Sequence, residues 1–183
     1  MYILLFFITL CLFCFIVCIY LNLFYTFYLK VPMLSSGNNP IEKVLSNVDF
    51  KKASKFYDLG SGNGKLISRV AKQHPHLECI GIEYNIVSFA LAKIRNIFSK
   101  QKVNYRRKYF FKTNISDADI IYVYLFPRII ECLEKKFNHE LKKGTLVICN
   151  SFRIKSRKPK IIIQGKAGKL NTIYIYEYWN VKS

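Results

Sequence analysis

Residues 2–28 carry no charged side chain, and Leu, Ile and Phe dominate the run. As a helix it reaches about 40 Å, whereas ~20 apolar residues already cross a hydrocarbon core. A cleaved leader has a basic start, a shorter apolar stretch and a small-residue cleavage site; none of these stands here, so the pattern predicts a retained transmembrane anchor over 1–30. Residues 31–40, with two Pro, two Ser, a Gly and two Asn, read as a linker. Beyond them the pattern changes. Ile41, Val44, Leu45 and Val48 recur at helical spacing behind Pro40. Residues 55–59 form a short apolar strand. Leu66, Ile67, Val70 and Ala71 mark a helix face. Residues 79–83 are a second strand, and Asn85 caps a helix whose inward face is predicted as Val87, Ala90, Leu91, Ile94 and Ile97. Residues 103–107 are a third strand, and 110–117 leave no room for a full crossover helix. The continuous apolar run at 118–125 suits a strand covered on both faces. Pro127 opens a helix with Ile129, Ile130, Leu133, Phe137 and Leu141 inward, ended by Gly144. Strands follow at 145–149, 160–164 and 170–179.

Alternating strands and helices require a mostly parallel sheet. The expectation is an α/β, doubly wound, seven-stranded Rossmann-like domain over 41–183 with an antiparallel C-terminal strand, preceded by one transmembrane helix. Right-handed crossovers bring the ends of the strands that finish near Asp58, Glu83, Arg107 and Leu125 to one edge.

Charge adds an orientation. All 29 Lys and Arg follow the apolar run, against 11 Asp and Glu, for a net charge of +18. The excess of basic residues on one side places the C-terminal part in the cytoplasm. The densest basic runs are Arg106-Arg107-Lys108 and residues 153–160. Such a surface is drawn to anionic lipid. The same charge binds RNA, and a Lys-rich composition also simply solvates a surface, so charge alone selects no substrate. Cys11, Cys14 and Cys18 share a helix face without His, Asp or Glu beside them, which reads as packing rather than a metal site. The other three Cys are scattered and imply no disulfide framework, in keeping with a reducing compartment. His74 and His76 read as solvated loop residues, and no metal site is predicted.

The chemistry concentrates in Phe56-Tyr57-Asp58-Leu59-Gly60-Ser61-Gly62-Asn63-Gly64, between the first strand and a helix starting near Lys65. Glycines let a backbone approach a ligand where a Cβ would clash, and the first-turn amides of the helix point at it. Glu83, at the end of the next strand, is placed to accept both hydroxyls of a ribose. A dinucleotide fingerprint requires a different spacing: here the third glycine comes one residue early and Lys65 holds its place.

The D-x-G-x-G-x-G pattern resembles the first motif of class I S-adenosylmethionine-dependent methyltransferases, and Glu83 matches their acidic residue. The apolar N-terminal run, the Val31-Pro32 pair, Gly81-Ile82-Glu83-Tyr84-Asn85, Leu133-Glu134-Lys135-Lys136 and a final strand opening Gly168-Lys169-Leu170 narrow the resemblance. Together they are similar to a small membrane-anchored branch that includes the mitochondrial lysine methyltransferases of the ATP synthase c-subunit and the adenine nucleotide translocase. The resemblance covers nearly the whole chain. It implies S-adenosylmethionine as cofactor, held by Asp58, Gly60, Ser61, Gly62 and Gly64, with Glu83 on the ribose and Tyr84 on the adenine. Two departures stand out. Lys108-Tyr109 replaces the Gly-Asp that many relatives carry near the adenine amine. Tyr124-Leu125-Phe126-Pro127 is not the Asn-Pro-Pro-Tyr type of amide and adenine methyltransferases.

Methyl transfer from a sulfonium needs alignment and exclusion of water more than a dedicated triad. No catalytic residue is therefore assigned, and Tyr124, Phe126 and Pro127 are the candidates to wall an acceptor channel; ordinary strand-end packing is the alternative. The expected function is a membrane-tethered protein-lysine methyltransferase with a membrane-protein acceptor, attracted to an anionic membrane surface. A methyltransferase on RNA or a small molecule is the second reading, with nucleic acid not favoured. A non-catalytic nucleotide-binding membrane protein is the third.

Overall fold

The computed structural model describes residues 2–29, 38–99, 102–165 and 168–179. Residues 31–37 of the expected linker, and 166–167 in the turn between the closing strands, lie outside them. Two compact units are formed, residues 1–33 and 34–183. The first is helix α1, Tyr2–Leu29. Its stretch Tyr2–Leu21 is long and apolar enough to cross a membrane, and none of it is buried.

The second unit is built on a seven-stranded sheet. In chain order its elements are α2 (Asn38–Asn47), β1 (Lys55–Leu59), α3 (Lys65–Gln73), β2 (Glu78–Ile82), α4 (Ile86–Phe98), β3 (Val103–Arg106), β4 (Ile120–Val123), α5 (Pro127–Glu140), β5 (Leu146–Asn150), β6 (Ile161–Gly165) and β7 (Gly168–Glu177). A single 3-10 turn at Phe110–Lys112 takes the place of a crossover helix between β3 and β4. The strand order is β3-β2-β1-β4-β5-β7-β6. β1 to β5 pair in parallel, and β7 runs antiparallel to both of its neighbours. The winding reverses between β1 and β4, and such a switch point opens a ligand crevice at the carboxyl ends of the strands.

The start of β1 is pinned. Asp119 accepts the amides of Ser54 and Lys55 at 2.7 and 2.9 Å, fixing the entry to β1 beside β4. Ile41 and Val44 of α2, Leu66, Ile67 and Val70 of α3, and Ile120, Tyr122, Ile148, Ile173 and Ile175 of the sheet share one core. Ile130, Leu133 and Phe137 of α5 are likewise buried.

Three expectations are corrected. The sheet-facing side of α4 is not Val87, Ala90, Leu91, Ile94 and Ile97: the buried residues are Ser88 and Ala92, while Leu91, Ile94 and Ile97 are exposed. Small side chains let the helix lie close on β3, and Asn96 joins the two by exchanging hydrogen bonds with the backbone of Val103. His76 is exposed in its loop as expected, but His74 is half-buried. The His74 ring stacks on Phe50 at 4.3 Å, and His76 Nε2 lies 3.1 Å from the Phe50 carbonyl oxygen. Finally, α2 starts at Asn38, so Pro40 sits within its first turn rather than at its first position.

Candidate active site

The loop from Gly60 to Gly64 leaves β1 at the switch point and is held from below by β2. The Gly60 and Ser61 amides both donate to the Ile82 carbonyl, at 2.9 and 3.0 Å, and the Gly64 amide closes a tight turn onto the Ser61 carbonyl at 2.9 Å. Gly62 has φ +55°, and a Cβ built on it meets nothing within 4 Å. The space that side chain would fill is open, as a cradle for a ligand must be. Gly64 is glycine for a different reason. Its φ is +75°, and a Cβ there would stand 2.1 Å from the Tyr105 hydroxyl. That hydroxyl donates to the Gly64 carbonyl at 3.3 Å and lies 3.2 Å from Ser68 Oγ. The same ring covers Gly81 of β2, where a Cβ would come within 2.7 Å of it. One tyrosine on β3 thus supports both the loop and the strand beneath it.

Glu83, just past β2, binds two backbone amides. Its Oε2 accepts from Gly62 at 2.8 Å and its Oε1 from Asn85 at 2.7 Å. Asn85 in turn caps α4, its Oδ1 accepting from Val87 and Ser88, both at 3.0 Å. Burial pushes the Glu83 carboxyl up, and the amides of Asn85, Gly62 and Tyr84 oppose that shift. Asp58, fully enclosed at the end of β1, is pushed up to about 8 by burial and then by the charge of Glu83. Two enclosed acids at the mouth of a glycine loop favour a ligand that brings positive charge and hydroxyls. Ser61 Oγ, buried without a hydrogen-bond partner, offers that ligand a further contact. S-adenosylmethionine has both kinds of group, and the residues present fit it.

The structure brings Asp58, Gly60, Ser61, Gly62, Gly64, Glu83 and Tyr84 to one sheet edge. Tyr84 is joined by Tyr109, which the sequence marked only as a departure from the family's Gly-Asp: its ring lies edge-on to Tyr84, 6.0 Å away, and is backed by Phe110 and Phe111. Aromatic rings therefore stand at the departure. Tyr105 was missed, although its place two residues beyond Val103 on the same strand face would have marked it as inward.

The second wall of the crevice follows β4. Leu125 is buried, and its side chain lies 3.1 Å from a Cβ built on Gly60. Phe126 is half-buried and its ring stacks with Phe152 at 5.9 Å; Pro127 is the first residue of α5. Tyr124 is half-buried against the main core. Phe152, also unforeseen, stands two residues past the end of β5. There Ser151 holds φ +65°, and a buried chain runs from Ser151 Oγ to Asn150 Oδ1 and from Asn150 Nδ2 to the Tyr122 hydroxyl, 3.0 Å at each step. Among the described residues no cluster of His, Cys, Asp and Glu is arranged to hold a metal ion.

Comparison with known proteins agrees with this geometry. Residues 58–161 match the model of the ANTKMT methyltransferase domain. The chain is 30% identical over 149 residues to a protein-lysine N-methyltransferase of Saccharolobus islandicus, covering 80% of this chain and 92% of that protein. It is 28% identical over 137 residues to the adenine nucleotide translocase lysine N-methyltransferase of Mus musculus, covering 74% of this chain and 59% of the mouse protein. Among solved structures, an RNA methyltransferase from Salinibacter ruber in complex with S-adenosyl-L-homocysteine superposes with a TM-score of 0.72 at 24% identity, over 79% of this chain and 93% of that one. At that identity the likeness speaks for the fold.

Proposed function

The chain belongs to the ANTKMT methyltransferase domain family, and from that premise we propose a membrane-tethered enzyme that methylates the side-chain amine of a protein lysine with S-adenosylmethionine. The methyltransferase class rests on the family match, and the lysine acceptor on the two relatives named for that reaction. The observation that carries the site is the grip of Glu83 on the Gly62 amide at the switch point, beside the open face of Gly62.

Bound there, the cofactor supplies an electrophilic methyl group on a sulfonium. The chain's own residues hold and orient. Glu83 receives the ribose hydroxyls, Asp58 faces the cationic end, the Gly60–Gly64 backbone passes under the cofactor, and Tyr84 with Tyr109 borders the adenine. Phe126, Phe152 and Tyr124 line the acceptor side. Apolar walls there lower the pKa of an entering lysine, so that the neutral amine is presented.

The tether is α1. Its composition, and a net charge of +18 that falls wholly after it, favour a domain on the cytoplasmic side of a membrane and close to anionic lipid. The acceptor is then a membrane protein, and tethering raises its effective concentration. The basic run at 153–160 favours this over RNA, because part of it is already engaged on α5. Lys155 pairs with Glu131 at 2.8 Å, and Arg157 binds Asn138 at 3.1 Å while lying 4.2 Å over the Tyr178 ring.

Full-length protein in lipid vesicles, incubated with methyl-labelled cofactor and membrane or RNA fractions, tests the proposal. Label that resists ribonuclease, enters protein and hydrolyses to ε-N-methyl-lysine is expected. Label confined to RNA would reverse the substrate assignment. Tight cofactor binding without label anywhere would leave the non-catalytic reading.

A further inference from the structure

Helix α4 turns Ser88, Ala92 and the half-buried Phe89 inward and most of its other large apolar residues to solvent. Ser88 and Ala92 are buried, whereas Leu91 is 48% exposed, Ile94 51%, Ile97 78% and Phe98 85%. With Ile86 and Ala90, these residues fall within a single stripe at 100° per residue, opposite the buried side. Such a patch on a chain's surface marks an interaction site. Its borders show with what. Lys93 and Arg95, both exposed, flank the stripe on its two long edges, and Ile86–Phe98 contains no Asp or Glu. An apolar face edged by cations on both sides suits an anionic bilayer surface, with the aliphatic and aromatic side chains below the headgroups and the two cations level with the phosphates.

We propose that α4 is a second membrane contact, lying in the interfacial plane of an anionic leaflet. This rests on the reading of α1 as a tether, which keeps the domain at a bilayer. Because α4 starts three residues after Glu83, docking it brings one rim of the cofactor crevice, at Tyr84, against the leaflet. Acceptor lysines at headgroup depth are then the ones within reach.

The test uses full-length protein in vesicles of phosphatidylcholine and phosphatidylglycerol in equal parts, with brominated acyl chains as quencher. Trp179, the one Trp of the chain, is replaced by Phe. A reporter is then placed by Phe98→Trp, and in a second variant by Arg128→Trp on α5, which crosses the other face of the sheet. The expected result is several-fold stronger quenching at position 98 than at 128, falling when phosphatidylglycerol is left out. Equal quenching at the two positions in protein that floats with the vesicles overturns the α4 contact and leaves the tether standing. Undiminished quenching without phosphatidylglycerol overturns the anionic assignment. Protein that stays in the aqueous fraction overturns tether and contact together. A position-98 reporter that is unquenched but cross-links to a second chain assigns the stripe to self-association instead.

Discussion

Asp58, in the role proposed for it, should make cofactor binding depend on pH. In the empty site its carboxyl is held up to about 8 by burial and by Glu83. A ligand ammonium or sulfonium beside it requires the ionised form, so binding expels a proton. A carboxyl of that pKa is only about 1% ionised near pH 6 and half ionised near pH 8, so the association constant should rise roughly 50-fold, ~2.3 kcal/mol, across that span. The α-amino group of the ligand, with an ordinary pKa of about 7.7–8.0, loses half or more of its charge by pH 8, which trims that rise about two- to threefold. Titration calorimetry of full-length protein with S-adenosylhomocysteine, in two buffers of different ionisation enthalpy, measures both the affinity and the protons released. Release should approach one proton per ligand at the acid end. Asp58→Asn should flatten the profile. An affinity that does not change with pH in the unaltered protein would refute the argument, because the proton would then not be displaced by the ligand. The stability of the empty chain should move the other way. A raised folded-state pKa on an acid means that the unfolded chain loses its proton first. Stability therefore falls as pH rises from the ordinary carboxyl range towards 8, and thermal melts across that window check the sign.

Three further outcomes are expected. Glu83→Ala should weaken cofactor binding by about 1.5–3 kcal/mol, the range for hydrogen bonds to a charged group, and the calorimetric affinity reads it directly; a loss of less than about twofold would remove Glu83 from the ribose. Gly62→Val should abolish binding in a protein that still melts cooperatively, since a branched side chain fills the cradle at a positive φ. Gly81→Ala should cost about 1–3 kcal/mol in denaturant unfolding, because the Tyr105 ring must give way, and Tyr105→Leu in the same chain should recover part of that loss.

Most of the sheet was legible because buried parallel strands are short apolar runs between turn residues, and 55–59 was bounded correctly on that basis. The loop was legible from spacing: three glycines between a strand and a helix, with an acid after the next strand. Asn85 was recognisable as a cap from its place ahead of an apolar helix. The failure at α4 has a physical cause. Helical periodicity reports where the large apolar residues lie, and it is silent on whether the sheet or something else covers them. In α4 the sheet takes Ser88 and Ala92. The ring contacts of Tyr109 and Phe152 were not legible because both sit past strand ends, where no periodicity operates and only the fold brings the rings together.

The placement of β7 has a consequence for biosynthesis. It follows β6 in the chain yet lies between β5 and β6 in the sheet, so β6 has no neighbour until β7 is in place. Before β7 docks, β1 to β5 can already pair. Ile161-Ile162-Ile163 of β6 must wait as an unpaired apolar segment at the edge of a partly made sheet. Such segments invite wrong partners. A chain anchored through α1, as proposed above, would wait with its movement confined to two dimensions, where identical neighbours are close. Truncation within 168–177, or slow docking of β7, thus leaves this protein most exposed to misassembly.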